Sequence, residues 1–199
     1  NLRKIVFSLV VFVLLLSVGL NATADVIDPF TAQQGPFTVG PGEEIAEEEA
    51  VIMTDSVLGG FRVMAPGMDE DAEAGSKAKF EISGGMFKCE VEFPSDNNTV
   101  NNGACGGGYD RGDGPVFDLT GSTKFEFDVT SVEGNMAIGV TLVDTNEDIS
   151  LGFIENATAG TLSIPFNQMF SPTSPMGVNL ASIDNIGFSV LNQEGKEGS

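Results

Sequence analysis

The sequence predicts an all-β domain, an antiparallel β-sandwich, preceded by an N-terminal hydrophobic signal or anchor helix. Three observations carry that expectation. Apolar residues recur at every second position in segment after segment, as half-buried antiparallel strands require. Clusters of Gly, Pro, Asn and Asp separate these segments at short spacing. Beyond the N-terminal run, no stretch of comparable length shows helical spacing with caps.

The first element is the apolar run. Arg3 and Lys4 precede residues 5–20, which are apolar except for Ser8, Ser17 and Gly19. A short positive region, an apolar run and the small side chains of Ala22-Thr23-Ala24 make an export signal, with cleavage expected before Asp25. The run is shorter than the roughly 20 residues of a typical membrane-spanning helix. The competing reading is an uncleaved anchor, since a segment extended to Val26 would still reach into a bilayer. No Cys lies near the cleavage point, so lipid attachment there is not expected. Asn1 in place of an initiator Met suggests a fragment at its start. Residues 1–24 are therefore expected to be a signal peptide or membrane anchor, and residues 25–199 a single domain. The expected location is secreted, periplasmic or at the cell surface, with membrane contact only through residues 5–20 if these are retained.

Seven strands follow from the alternation. Ala78, Phe80 and Ile82 alternate with Lys77, Lys79, Glu81 and Ser83. Phe87, Cys89, Val91 and Phe93 alternate with Lys88, Glu90 and Glu92, and Ser83-Gly84-Gly85 between the two segments is hairpin chemistry. Further strands are expected around Phe125, Phe127 and Val129, around Ile138, Val140 and Leu142, and around Ile149, Leu151 and Phe153. The last two centre on Leu162, Ile164 and Phe166 and on Ile186, Phe188 and Val190. Residues 43–50 are the one helix candidate after the export segment. Residues 95–108, rich in Asn and Gly, are expected to be a loop.

Composition narrows the chemistry. The formal net charge is −20, which excludes nucleic acid as a partner because phosphate binding needs the opposite sign. There is no His and no Trp, and one Tyr. Without His, Ser-His-Asp and Cys-His nucleophile systems and the usual zinc sites are excluded. An enzyme would have to run on carboxylates alone, and spacing points to no such pair. Cys89 and Cys105 are the only cysteines, and an exported chain with an even count reads as a disulfide; two free thiols are the alternative, since Cys89 falls on the apolar face of a strand where an inert buried thiol also fits.

Two polar clusters are candidate sites. Tyr109-Asp-Arg-Gly-Asp-Gly114 combines the single Tyr with charges beside the Cys105 staple. A rigid loop there would present Tyr109 to a ring and Asp110, Arg111 and Asp113 to hydroxyls; a solvated turn is the plainer alternative. Asp144, Asn146 and Asp148 place oxygen ligands at alternate positions, with Glu155 twelfth from Asp144, as a calcium loop does. Ile149 stands where that loop needs Gly, which favours a hairpin turn. Arg62, after Gly59-Gly60, is expected to pair with a carboxylate.

The order of motifs adds a resemblance. Asp25-Val-Ile-Asp-Pro-Phe30, Met53-Thr-Asp-Ser-Val-Leu-Gly-Gly-Phe-Arg62, the segment 80–93, Phe117-Asp-Leu-Thr-Gly121 and Ile183-Asp-Asn-Ile-Gly-Phe-Ser-Val-Leu-Asn-Gln-Glu-Gly195 resemble galactose-binding-like jelly rolls of the complex I intermediate-associated protein family and related secreted bacterial proteins. The resemblance implies a jelly-roll sandwich, a further core strand after residue 195 and hence a C-terminal truncation. It also implies a structural calcium as the only cofactor to consider and carbohydrate binding as a common use of the fold. The expected function is a non-catalytic structural or interaction protein, a subunit of an envelope or membrane-associated assembly; the alternative is an extracellular carbohydrate-binding module. The partner is accordingly a protein or a glycan at the cell surface.

Overall fold

The computed structural model describes residues 5–18, 25–46, 50–54, 57–94, 103–110 and 115–192. These residues form two antiparallel sheets packed face to face, which is the predicted all-β sandwich. The first sheet contains β1 (Ile5–Val18), β2 (Asp25–Asp28), β3 (Gln34–Val39), β6 (Lys77–Ser83), β7 (Met86–Phe93), β9 (Ser122–Val132) and β12 (Gly160–Pro165). Its order is β12-β9-β1-β7-β6-β3, with β2 paired to β1. The second contains β4 (Val51–Met53), β5 (Phe61–Met68), β8 (Gly103–Asp110), β10 (Met136–Asp144), β11 (Ile149–Ile154) and β13 (Ile183–Asn192). Its order is β11-β10-β13-β8-β5-β4.

Alternation becomes packing directly. In β7, Phe87, Cys89, Val91 and Phe93 are buried while Lys88, Glu90 and Glu92 are partly exposed. The β6–β7 hairpin turns on Gly84 and Gly85 at φ 61° and 76°. Two consecutive left-handed residues are what a tight two-residue hairpin needs and what Gly supplies without strain. Phe87 sits at the centre of the core, with ring centroids 5.3 Å from Phe80 and 5.1 Å from Phe188. Cys89 and Cys105 are disulfide-bonded with Cα atoms 5.8 Å apart, so the bridge ties β7 of the first sheet to β8 of the second.

Three sequence expectations are corrected. Gly103–Gly108 is not a loop but most of β8, and residues 95–102 lie outside the described residues. Its glycines are required by close backbone approach: a Cβ on Gly106 would lie 2.4 Å from the Phe188 carbonyl oxygen, and one on Gly107 would overlap Val63. Gly-rich sequence therefore marks tight strand pairing here. Of the helix candidate 43–50, residues 43–46 are not helical, Ala50 is helical with its amide bonded to the Ala46 carbonyl, and Glu47, Glu48 and Glu49 lie outside the described residues.

The third correction concerns the N-terminal run. Where a helix is expected, Ile5–Val18 is a strand between β7 and β9. Ile, Val and Phe make up eight of its 14 residues, and such side chains favour strands wherever neighbouring edges are available. No helix among the described residues is long and apolar enough to cross a membrane.

Candidate functional site

The aromatic cluster predicted from sequence divides on folding. Tyr109 is fully buried, because its place in β8 puts it on the same inward face as Cys105. It cannot stack on a ligand. Its hydroxyl donates to Asp28 Oδ2 at 3.2 Å, and the same oxygen accepts from Arg62 Nη1 at 2.6 Å. Asp28 Oδ1 accepts from the Phe30 amide, and Arg62 donates further to the Ala32 carbonyl and to Gln34 Oε1. Gln34 closes the network by donating to the carbonyls of Ala50 and Met64. Arg62 does pair with a carboxylate, as expected, but as a fully buried pair. Burial pushes the Tyr109 phenol well above its ordinary range, and the neighbouring Asp28 carboxylate adds to that, so Tyr109 stays neutral. The network pins β2, β3, β5 and β8 together. Asp110 ends β8 half-buried, while Arg111 and Asp113 lie outside the described residues.

Asp144 also has an architectural task. Its Oδ1 accepts from the amides of Asn146 at 2.8 Å and Asp148 at 3.2 Å, and its Oδ2 from Asn179 at 2.7 Å. Burial alone would raise its pKa, but the three backbone donors outweigh it and hold the carboxyl below its usual value. Both oxygens thus serve the β10–β11 turn and the base of the long β12–β13 crossover. Among the described residues, no three acidic or cysteine side chains gather as a metal site would require.

Outside β1, the outer faces of the two sheets differ in kind. On the first, Lys77, Lys79 and Glu81 of β6, Lys88, Glu90 and Glu92 of β7, and Lys124, Glu126 and Asp128 of β9 point outward, with ion pairs such as Lys79–Glu90 among them. On the second, the register aligns Phe153, Gly139, Ser189, Gly106 and Ala65 across five strands. The neighbouring row is Leu151, Thr141, Gly187, Gly108 and Val63. These two rows carry no ionisable residue, and Asp110 lies next along β8 on the same face. Phe153 is 58 % exposed, and its ring lies over Gly139 beside the Ser189 hydroxyl. Gly106, Gly108 and Gly187 are the small residues in these rows that leave backbone without a side-chain cover of its own.

A cleft of about 920 Å³ adjoins that face at the open edge of the sandwich. Leu142, Phe166, Met169, Val178 and Leu180 form its apolar lining, and Thr123, Lys124, Ser150 and Asn167 add polar groups. Its wall is the β12–β13 crossover, held by the Ser171 hydroxyl on the Ile149 carbonyl, the Ile149 amide on Thr173 Oγ1, and Asp144 on Asn179. Phe170, 66 % exposed, pairs with Leu151 through two backbone hydrogen bonds and so joins the cleft to the uncharged face.

Sequence reasoning missed this surface because it searched for functional groups, and the surface is defined by their scarcity. The signal was nevertheless present. The residues between the apolar positions are Lys and Glu at 77–92 but Gly139, Thr141, Gly187 and Ser189 in the later strands. No protein-family model, curated protein or solved structure matches this chain.

Proposed function

We propose that this chain is a non-catalytic, exported interaction domain that engages its partner across the uncharged outer face of the second sheet. The observation that carries this reading is the contrast between the faces. On a chain of net charge −20, the two aligned rows from Phe153 to Ala65 and from Leu151 to Val63 are free of ionisable groups, small in relief and edged by exposed Phe153 and Phe170. Charge depletion at the centre with aromatic residues present is the compositional mark of protein interfaces. The acidic remainder keeps the domain soluble and repels anionic partners elsewhere. Placing Glu at Thr141 and Ser189 is the direct test. Both positions accept a larger polar side chain only if the face is open to solvent, and the double variant should abolish association with native partners while leaving thermal unfolding unchanged. Retained association would refute the reading.

A second reading is favoured by one group of residues. Phe153, Thr141, Ser189 and Asn185 lie together on that face, combining an aromatic ring with hydroxyl and amide groups, which suits a neutral glycan. A glycan array with the full chain and its Phe153→Ala variant separates the two: binding that disappears in the variant supports the glycan, and no binding by the unaltered chain removes it.

A further inference from the structure

The first sheet holds one strand whose chemistry does not match its neighbours. β1 is antiparallel to both β7 and β9, and its register sets Ile5, Phe7, Leu9 and Val11 opposite Phe93, Val91, Cys89 and Phe87, all of which are buried. The intervening positions, Val6, Ser8 and Val10, stand opposite Glu92, Glu90 and Lys88. On the other flank Phe12, Leu15 and Ser17 stand opposite Asp128, Glu126 and Lys124. Both flanking strands alternate apolar with charged residues, so the position between them calls for a strand that alternates in the same way. Ile5–Val18 does not: it has Val6, Val10, Phe12 and Leu15 where its neighbours are charged. No ionisable residue of Ile5–Val18 stands opposite these charges, whereas charged cross-strand pairs stabilise a sheet.

We propose that the position between β7 and β9 is a strand-acceptor site, held by Ile5–Val18 and filled, once that segment leaves, by an extended segment of a partner protein. The neighbours define the segment. It runs antiparallel to both strands and is apolar at alternate residues. Between these it is basic or hydroxyl-bearing, because Glu90, Glu92, Glu126 and Asp128 outnumber Lys88 and Lys124 along the two flanks. Removing a central strand bares a row of backbone donors and acceptors on each side, which is what strand addition by another chain satisfies. The proposal rests on the export reading of residues 1–24 and is independent of the second sheet's outer face.

The test uses the full chain with a specific protease site inserted between Leu20 and Asp25 and cut after folding. Three synthetic peptides are added in turn: one alternating Val or Ile with Lys or Thr, one with Glu in place of Lys, and Ile5–Val18 itself. Hydrogen exchange is read by mass spectrometry. The basic alternating peptide should displace the native segment, raising exchange in residues 5–18 by about tenfold or more while the amides of β7 and β9 stay protected. The acidic peptide should leave exchange unchanged. The uncut chain refolded with each peptide gives a second readout, retention of the basic peptide alone on gel filtration. Displacement by no peptide, equal displacement by the acidic and basic peptides, preferential binding of Ile5–Val18, or dimerisation of the cut chain with itself would each overturn the proposal.

Discussion

β7 and β8 are joined by one disulfide across the sandwich, yet their outward residues have opposite character. β7 presents Lys88, Glu90 and Glu92; β8 presents Ala104, Gly106 and Gly108. Their inward residues serve the same core, Cys89 and Cys105 foremost. The difference is therefore not dictated by the core that the two strands share. A charged outer row is the ordinary solvated surface of a sheet, whereas a strand of glycines weakens its own sheet unless close approach is needed. In β8 that approach is partly internal, to Phe188 and Val63, and the flat exterior it leaves is available to a partner.

Substitutions that exchange these characters should have unequal effects. The largest belongs to the buried pair beneath β8. Replacing Asp28 with Ala leaves Arg62 buried without its carboxylate and should lower stability by about 3–5 kcal/mol in denaturant unfolding. Next is Gly106→Ala, whose new Cβ would meet the Phe188 carbonyl at 2.4 Å; a loss of about 1–3 kcal/mol is expected, as for overpacking. Its counterpart on β7, Glu90→Ala, removes a half-exposed ion pair with Lys79 and should change stability by less than about 1 kcal/mol. Equal losses at Gly106 and Glu90 would break the contrast.

A smaller, pH-dependent effect is expected at the wall of the cleft. The Asp144 carboxyl is depressed in the folded state, so its contribution is present above the unfolded value of about 3.9 and is lost as pH falls through the folded value. Unfolding followed between pH 6 and pH 2 should show that acid-side loss, reduced in Asp144→Asn. A variant with the same acid sensitivity as the parent would place the effect elsewhere. Smallest of all for stability is Phe153→Ala, expected to be within about 0.5 kcal/mol for a side chain so exposed.

The sequence disclosed different parts of this molecule to different degrees. Alternation at 77–93 fixed both strands and their hairpin, because local period, turn glycines and the charged outer row agree there. β8 was illegible for the opposite reason: glycines that signal a loop locally are demanded by neighbours far along the chain, Val63 and Phe188. Tyr109 was misread with it, since its polar surroundings in sequence gave no hint of Asp28, 81 residues away. Residues 5–18 show a third case, in which an apolar run broken only by Ser8 and Ser17 has no period to distinguish helix from strand and the environment decides. The proposed binding face needed register between non-consecutive strands before its two uncharged rows could be seen.

The account turns on which outer face meets a partner, and site-specific photo-crosslinking in the native compartment tests it most directly. A photoreactive residue at Thr141 or Ser189 should give discrete covalent adducts, and one at Lys79 or Glu81, on β6 and away from the position of β1, should give none. Adducts from Lys79 and Glu81 with none from Thr141 and Ser189 would contradict it.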